Sequence, residues 1–104
     1  MLTAEALLER QAYHSKLLRH TYQHIRYPKS AERHDQEGSV RLAITIDRRG
    51  KILEITEIET SRFSALNKAA RKAVEKSNPF PPLPDSIPGE EFEFTLPILF
   101  RLAK

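Results

Sequence analysis

The stretch EFEFTLPILFRLAK, residues 91–104, decides how the rest of this chain is read. Phe92, Phe94, Leu96, Ile98, Phe100 and Leu102 take every even position, the period of a strand with one buried face. Three phenylalanines at ~1.5–3 kcal/mol each make such a strand a main source of folding free energy. Pro97 stands in its middle, and proline has no N–H to give to a ladder. In an antiparallel ladder each residue turns its N–H and C=O to the same side, and successive residues alternate sides. Pro97 must therefore turn its missing donor away from the paired strand. The even residues pair inward, and the main chains of Thr95, Pro97, Leu99, Arg101 and Ala103 face outward. The pattern predicts an edge strand.

Working back from it, GSVRLAITID (38–47) has the same period of two. Val40, Leu42, Ile44 and Ile46 face one way and Arg41, Ala43 and Thr45 the other. DRRG (47–50) is a tight connection with Gly50 free to take positive φ, so a hairpin follows. In KILEITEIE (51–59), Ile52, Ile55 and Ile58 cannot share a face by strict alternation, and a bulge near Leu53–Glu54 is expected.

The helical segments are read from the 3.6-residue period. Residues 3–26 form a helix capped by Thr3, with Glu5 and Glu9 suited to its positive end. Its apolar stripe is sharp only late, at Leu18, Tyr22 and Ile25 with Leu17 and Thr21 beside them. Traced backwards it meets His14 and Gln11, so the first half should project or pack weakly. Pro28 opens a second short helix, PKSAERHDQ, closed by Gly38. SRFSALNKAARKAVEKS (61–77) is a third, capped by Ser61 or Ser64, with Phe63, Leu66, Ala70, Ala73 and Val74 inward. NPFPPLPDSIPG ends it by proline crowding and forms a rigid crossover anchored by Phe80.

These pieces specify an α+β fold in the order α-α-β-β-α-β. The three-stranded, antiparallel-type sheet has order 2-1-3, with the helices on one face. Residues 1–26 make an N-terminal helix leading into the domain, and residues 27–104 make the domain itself. Pro97 and the Glu90, Glu91, Glu93 cluster blunt the last strand, yet residues 98–103 stay open along one side. That edge either is tolerated or receives a partner strand.

Composition excludes more than it assigns. With 104 residues the chain has room for one core, and with no cysteine it has neither a disulfide nor a thiolate nucleophile. It carries 17 Lys and Arg against 14 Asp and Glu. The basic residues are scattered without interleaved aromatics, so the surface reads as solvated and no nucleic-acid partner is expected. No apolar run is long enough to span a bilayer, and MLTAEALLER is not a signal peptide. His20 and His24 have a metal-compatible spacing without a third ligand, so no metal or other cofactor is expected. Gly38, Gly50 and Gly89 are too dispersed for a phosphate loop. Without a nucleophile–base pair the chain reads as a non-enzyme.

YPKSA, GSVRLAITIDRRGKI, LNKAARKAV, PFPPLP and the terminal FTLPILFRL fall in an order that resembles the C-terminal domain of TonB-like energy transducers, over about residues 17–102. TSRF and Asn67 depart from that family's pattern, which implies an altered turn and cap. The TolA C-terminal domain has a similar architecture, but it usually carries a disulfide that this chain cannot make. The resemblance implies a periplasmic domain of an inner-membrane protein, with an anchor and a proline-rich spacer ahead of residue 1. It also implies an ExbB/ExbD-type motor, and an outer-membrane receptor whose TonB box adds as a strand to the last β-strand. On this chain that implied site is the outward backbone of Thr95, Pro97, Leu99, Arg101 and Ala103, with Arg26, Tyr27 and Pro28 as a secondary contact. The alternative is an envelope assembly module, TolA-like or a homodimer, pairing through the same edge.

Overall fold

The computed structural model describes residues 3–103. They form α1 (Ala4–Tyr22), α2 (Lys29–Arg33), β1 (Gly38–Asp47), β2 (Ile52–Glu59), α3 (Ser64–Lys76) and β3 (Glu91–Phe100). The strands make one antiparallel sheet in the order β2-β1-β3, so the α+β topology expected from the periodicities is the one adopted. The inward residues of β1 (Val40, Leu42, Ile44, Ile46) and β3 (Phe94, Leu96, Ile98, Phe100) are buried against Leu66, Ala70 and Val74 of α3 and Leu17 of α1. β1 and β3 run in unbroken register from Gly38 opposite Phe100 to Asp47 opposite Glu91.

β2 is less regular. Its register against β1 slips twice, passing over Leu53 and Ile58. The first slip is the bulge that the isoleucine spacing demanded, and it puts Ile52 and Ile55 on the core side opposite Ile46 and Ile44. The second leaves Ile58 half exposed rather than bringing it inward.

The hairpin and the crossover are locked together. Gly50 has φ +89°, and a Cβ there would fall 1.9 Å from the Phe80 carbonyl oxygen. Glycine is required twice over, by conformation and by the close approach that lets Phe80 N–H donate to Gly50 O at 2.8 Å. Arg48 then donates to the carbonyls of Ile87 at 2.8 Å, Gly89 at 2.6 Å and Pro84 at 3.2 Å. The crossover is held by this guanidinium and by buried Leu83 and Ile87 as well as Phe80.

The helices differ in detail from the sequence reading. α1 stops at Tyr22, not at residue 26. Its buried line is Tyr13–Leu17–Thr21, one position away from the Leu18–Tyr22–Ile25 stripe. Leu18 and Ile25 are partly buried, while Tyr22 is 42% exposed. Tyr13 carries the core contact one turn past the apparent break at His14, and it packs edge-on against Phe92 with centroids 5.2 Å apart. α2 is shorter than the segment 28–36. Pro28 is its cap, and Asp35 at φ +51° closes it, with Gln36 N–H bonding Ala31 O at 2.9 Å. That is a Schellman closure made by an aspartate, so Gly38 is free to begin β1. The residue at the α3 cap position is Phe63. Ser61 and Asn67 organise the turn before it, Ser61 N–H reaching Asn67 Oδ1 at 2.8 Å and Phe63 N–H reaching Ser61 Oγ at 3.1 Å.

Candidate functional site

The free side of β3 is the feature that stands out. Tyr22 Oη donates to the Pro97 carbonyl at 2.8 Å, and His14 Nε2 bonds the Thr95 carbonyl at 3.0 Å. Both carbonyls therefore point away from β1, as the missing proline donor requires. His14, Leu18 and Tyr22 are spaced i, i+4, i+8 and form a second line on α1 beside the core-facing one. This line runs to the strand edge, and its two polar members satisfy two of the edge's outward acceptors. Burial raises the Tyr22 phenol above its ordinary value, so it remains a donor throughout the neutral range.

Between α1 and this edge lies a groove of about 970 Å³, lined by His14, Tyr22, Ile25, Thr95, Pro97 and Leu99. On the far wall Arg41 and Glu59 form an exposed ion pair at 2.6 Å. The Arg41 hydrogen bond holds the Glu59 carboxyl below the usual range. A second groove, about 410 Å³, shares His14 and Thr95 and continues past Leu7, Arg10 and Phe92. The His14–Thr95 contact is thus the partition between two halves of one channel along β3.

Of the residues singled out from sequence, Thr95, Pro97 and Leu99 lie within β3, whereas Arg101 and Ala103 lie beyond its end at Phe100. The Leu99 side chain is 62% exposed, and among the described residues no side chain bonds its main chain. Leu102 N–H is tied to Glu37 Oε2 at 2.7 Å, which holds the segment after the strand. Tyr27 points inward: its hydroxyl donates to Gln36 O and its ring stands edge-on to Phe100 with centroids 5.5 Å apart. Arg26 and Pro28 line a different groove, against α3. His20 bonds Ser77 O at 2.9 Å and packs near Phe80, a structural placement. Among the described residues no group of three or more His, Cys, Asp or Glu could hold a metal ion, and no helix is long and apolar enough to cross a membrane. Sequence reasoning missed the edge role of His14 and Tyr22, although their i, i+8 spacing about Leu18 was visible.

This geometry can be set beside known proteins. The family model for the Gram-negative bacterial TonB protein C-terminal matches residues 23–102. The chain belongs to the TonB C-terminal family. Protein TonB of Pasteurella multocida (strain Pm70) is 32% identical over 94 residues, which is 90% of this chain and 36% of that protein. The chain thus spans little more than a third of the curated relative's length. The NMR solution structure of Helicobacter pylori TonB-CTD (residues 179–285) matches with a TM-score of 0.77 at 25% identity, covering 100% of this chain and 97% of that one. The structure of HasB CTD matches with a TM-score of 0.58 at 30% identity, covering 99% and 79% respectively.

Proposed function

We propose that this TonB-family domain is the periplasmic, non-catalytic end of an inner-membrane energy transducer, and that it binds a short receptor peptide by strand addition to β3. The observation that carries the reading is the unbulged β3, paired on one side only, with outward main chain at Thr95, Pro97 and Leu99 bordering a groove. Strand addition uses main-chain hydrogen bonds for affinity and flanking pockets for side-chain preference. Several such bonds at ~1 kcal/mol net each spread a pulling load over the peptide. In this reading the partner is the TonB box of an outer-membrane receptor. The same reading calls for a membrane anchor and an ExbB/ExbD-type motor as its source of force.

The added strand meets two conditions along the edge. At Leu99 it finds unbonded main chain, and at Thr95 and Pro97 it replaces bonds now made by His14 and Tyr22. Pairing should therefore begin at the Leu99 end. The test is titration of a receptor-derived peptide into the parent domain and into Leu99→Pro, which removes an outward N–H and no ladder bond. The expected result is a folded variant that no longer binds. A folded Leu99→Pro that binds as the parent does would overturn the site. Self-association that disappears in the same variant would instead assign the edge to a homodimer.

A further inference from the structure

A second surface lies where the end of α1 and the segment leading to α2 approach α3. It is a groove of about 280 Å³ with Ala65, Ala69 and Ala73 along α3 as its floor. Lys68, Lys72 and Lys76 form one rim, and Arg26 stands on the other wall beside His24 and Pro28. All four cations are exposed. No Asp or Glu lines the groove. The ion pairs among the described residues are Arg41–Glu59 and Arg71–Glu75, so none of these four is neutralised by one. Outside the groove the chain's remaining 13 Lys and Arg (17 less these four) are slightly outnumbered by its 14 Asp and Glu. The groove thus carries four positive charges with no acidic residue on its lining.

That arrangement is costly to a helix on its own. Lys68, Lys72 and Lys76 are like charges at successive i, i+4 positions, which is destabilising. Lys76, in the last turn, gains some compensation from the negative helix C-terminus, but Lys68 and Lys72 lie before that turn. By contrast Arg71, on the adjacent line of the same helix, is paired with Glu75 at 3.7 Å. A concave, low-dielectric wall lined by one sign of charge focuses the field on whatever enters it.

We propose that this groove docks an extended acidic segment of a partner protein, with carboxylates on alternate residues. The spacing supports an extended chain. Lysines at i and i+4 on a helix are about 6 Å apart along its axis. Alternate side chains of an extended chain are about 6.6 Å apart on one side of it. Three alternate carboxylates can thus meet Lys68, Lys72 and Lys76 in turn, while the alanine floor lets the backbone lie close and Arg26, held by the Gln23 and Ile25 carbonyls at 3.1 Å, adds its charge from the other wall. A lipid surface fits less well, because the large exposed apolar side chains that would enter a membrane (Leu7, Leu8, Leu53, Ile58, Leu99) do not line this groove. The inference is independent of the β3 edge.

The test uses the full chain, 15N-labelled, with two synthetic probes: an eight-residue peptide alternating Glu and Ser, and a peptide of equal charge with its glutamates consecutive. Binding of the alternating peptide should shift the amides of Ala65, Ala69, Ala73 and Arg26, and should weaken steeply as salt is raised. Lys68→Glu/Lys72→Glu, whose side chains face solvent, should melt as the parent does and lose at least about tenfold in affinity through like-charge opposition. Thr95, Pro97 and Leu99 substitutions should leave this binding unchanged. The proposal is overturned if the reversed-charge variant binds equally, if the consecutive-glutamate peptide binds as well as the alternating one, or if shifts fall on Arg33, Arg49 and Lys51 instead. Binding to phosphatidylglycerol vesicles without binding to the peptide would also overturn it.

Discussion

The sheet has two edges, and they are built differently. β2 slips register twice against β1, exposes Leu53 and Ile58, and buries none of its side chains fully. Bulges twist an edge and interrupt its row of donors and acceptors, a standard defence against unwanted pairing. β3 keeps unbroken register over its whole length and drives four large side chains into the core. Its outward backbone is consequently free of bulges. The defences it has are local: a proline without a donor, glutamates at its start, and two side chains from α1 resting on its carbonyls. Of the two edges, β3 is the one with unbroken pairing and β2 the one interrupted by bulges.

The contrast can be broken most severely at Ile98. Ile98→Pro removes an inward ladder bond and a buried side chain together, two losses at one core position. The variant should fail to give a cooperative melt. Next comes Phe94→Ala, which should cost ~3–5 kcal/mol by denaturant titration. Ile58→Ala, the control on β2, should stay within about 0.5 kcal/mol because its side chain is already half in water. Equal losses at Phe94 and Ile58 would erase the distinction drawn between the edges.

Tyr13 tests the link between α1 and β3. Its hydroxyl donates to Pro81 O at 2.6 Å, and burial pushes its pKa up to about 12 against a small opposing effect of Arg48. The folded state thus holds the phenolic proton more tightly than the unfolded chain, whose tyrosine titrates near 10. Stability from this group is complete below pH about 10 and is lost as pH rises towards about 12. Tyr13→Phe should cost ~1 kcal/mol at neutral pH and reduce that alkaline loss. An unchanged alkaline profile would mean that Tyr13 is not what couples α1 to the sheet at high pH.

The smallest expected effect is at Tyr22. Tyr22→Phe keeps the ring and frees the Pro97 carbonyl, so the melt should barely move. Peptide affinity should rise a few-fold, in keeping with one competing hydrogen bond of ~1 kcal/mol removed. A fall in affinity would make the Tyr22 hydroxyl part of the binding site rather than a cover over it.

Much of this was legible from single residues. Pro97 in a strict alternation announces an edge strand, Gly50 a turn, and the Ile52–Ile55 spacing a bulge, because each is a local rule with a steric cause. What was not legible depends on partners distant in the chain. Nothing near Arg48 signals that it will bond three carbonyls some forty residues later. Nor does the α1 pattern say which of two adjacent lines, Tyr13–Leu17–Thr21 or His14–Leu18–Tyr22, meets the core and which the strand edge. Both lines mix apolar and polar residues, and only the docking angle of the helix chooses between them. Asp35 took the left-handed closure expected of Gly38 because aspartate tolerates that conformation. The outward main chain of β3 followed from Pro97, whereas its cover by His14 and Tyr22 did not.

The most direct test of strand addition is amide hydrogen exchange with and without a receptor-derived peptide. The N–H groups of Thr95 and Leu99 face outward, so an added strand should slow their exchange strongly while the amides of β2, Ile52–Glu59, keep their free-state rates. Protection that appears along β2, or that leaves Thr95 and Leu99 unchanged while the peptide is demonstrably bound, would contradict the assignment of β3 as the receiving edge.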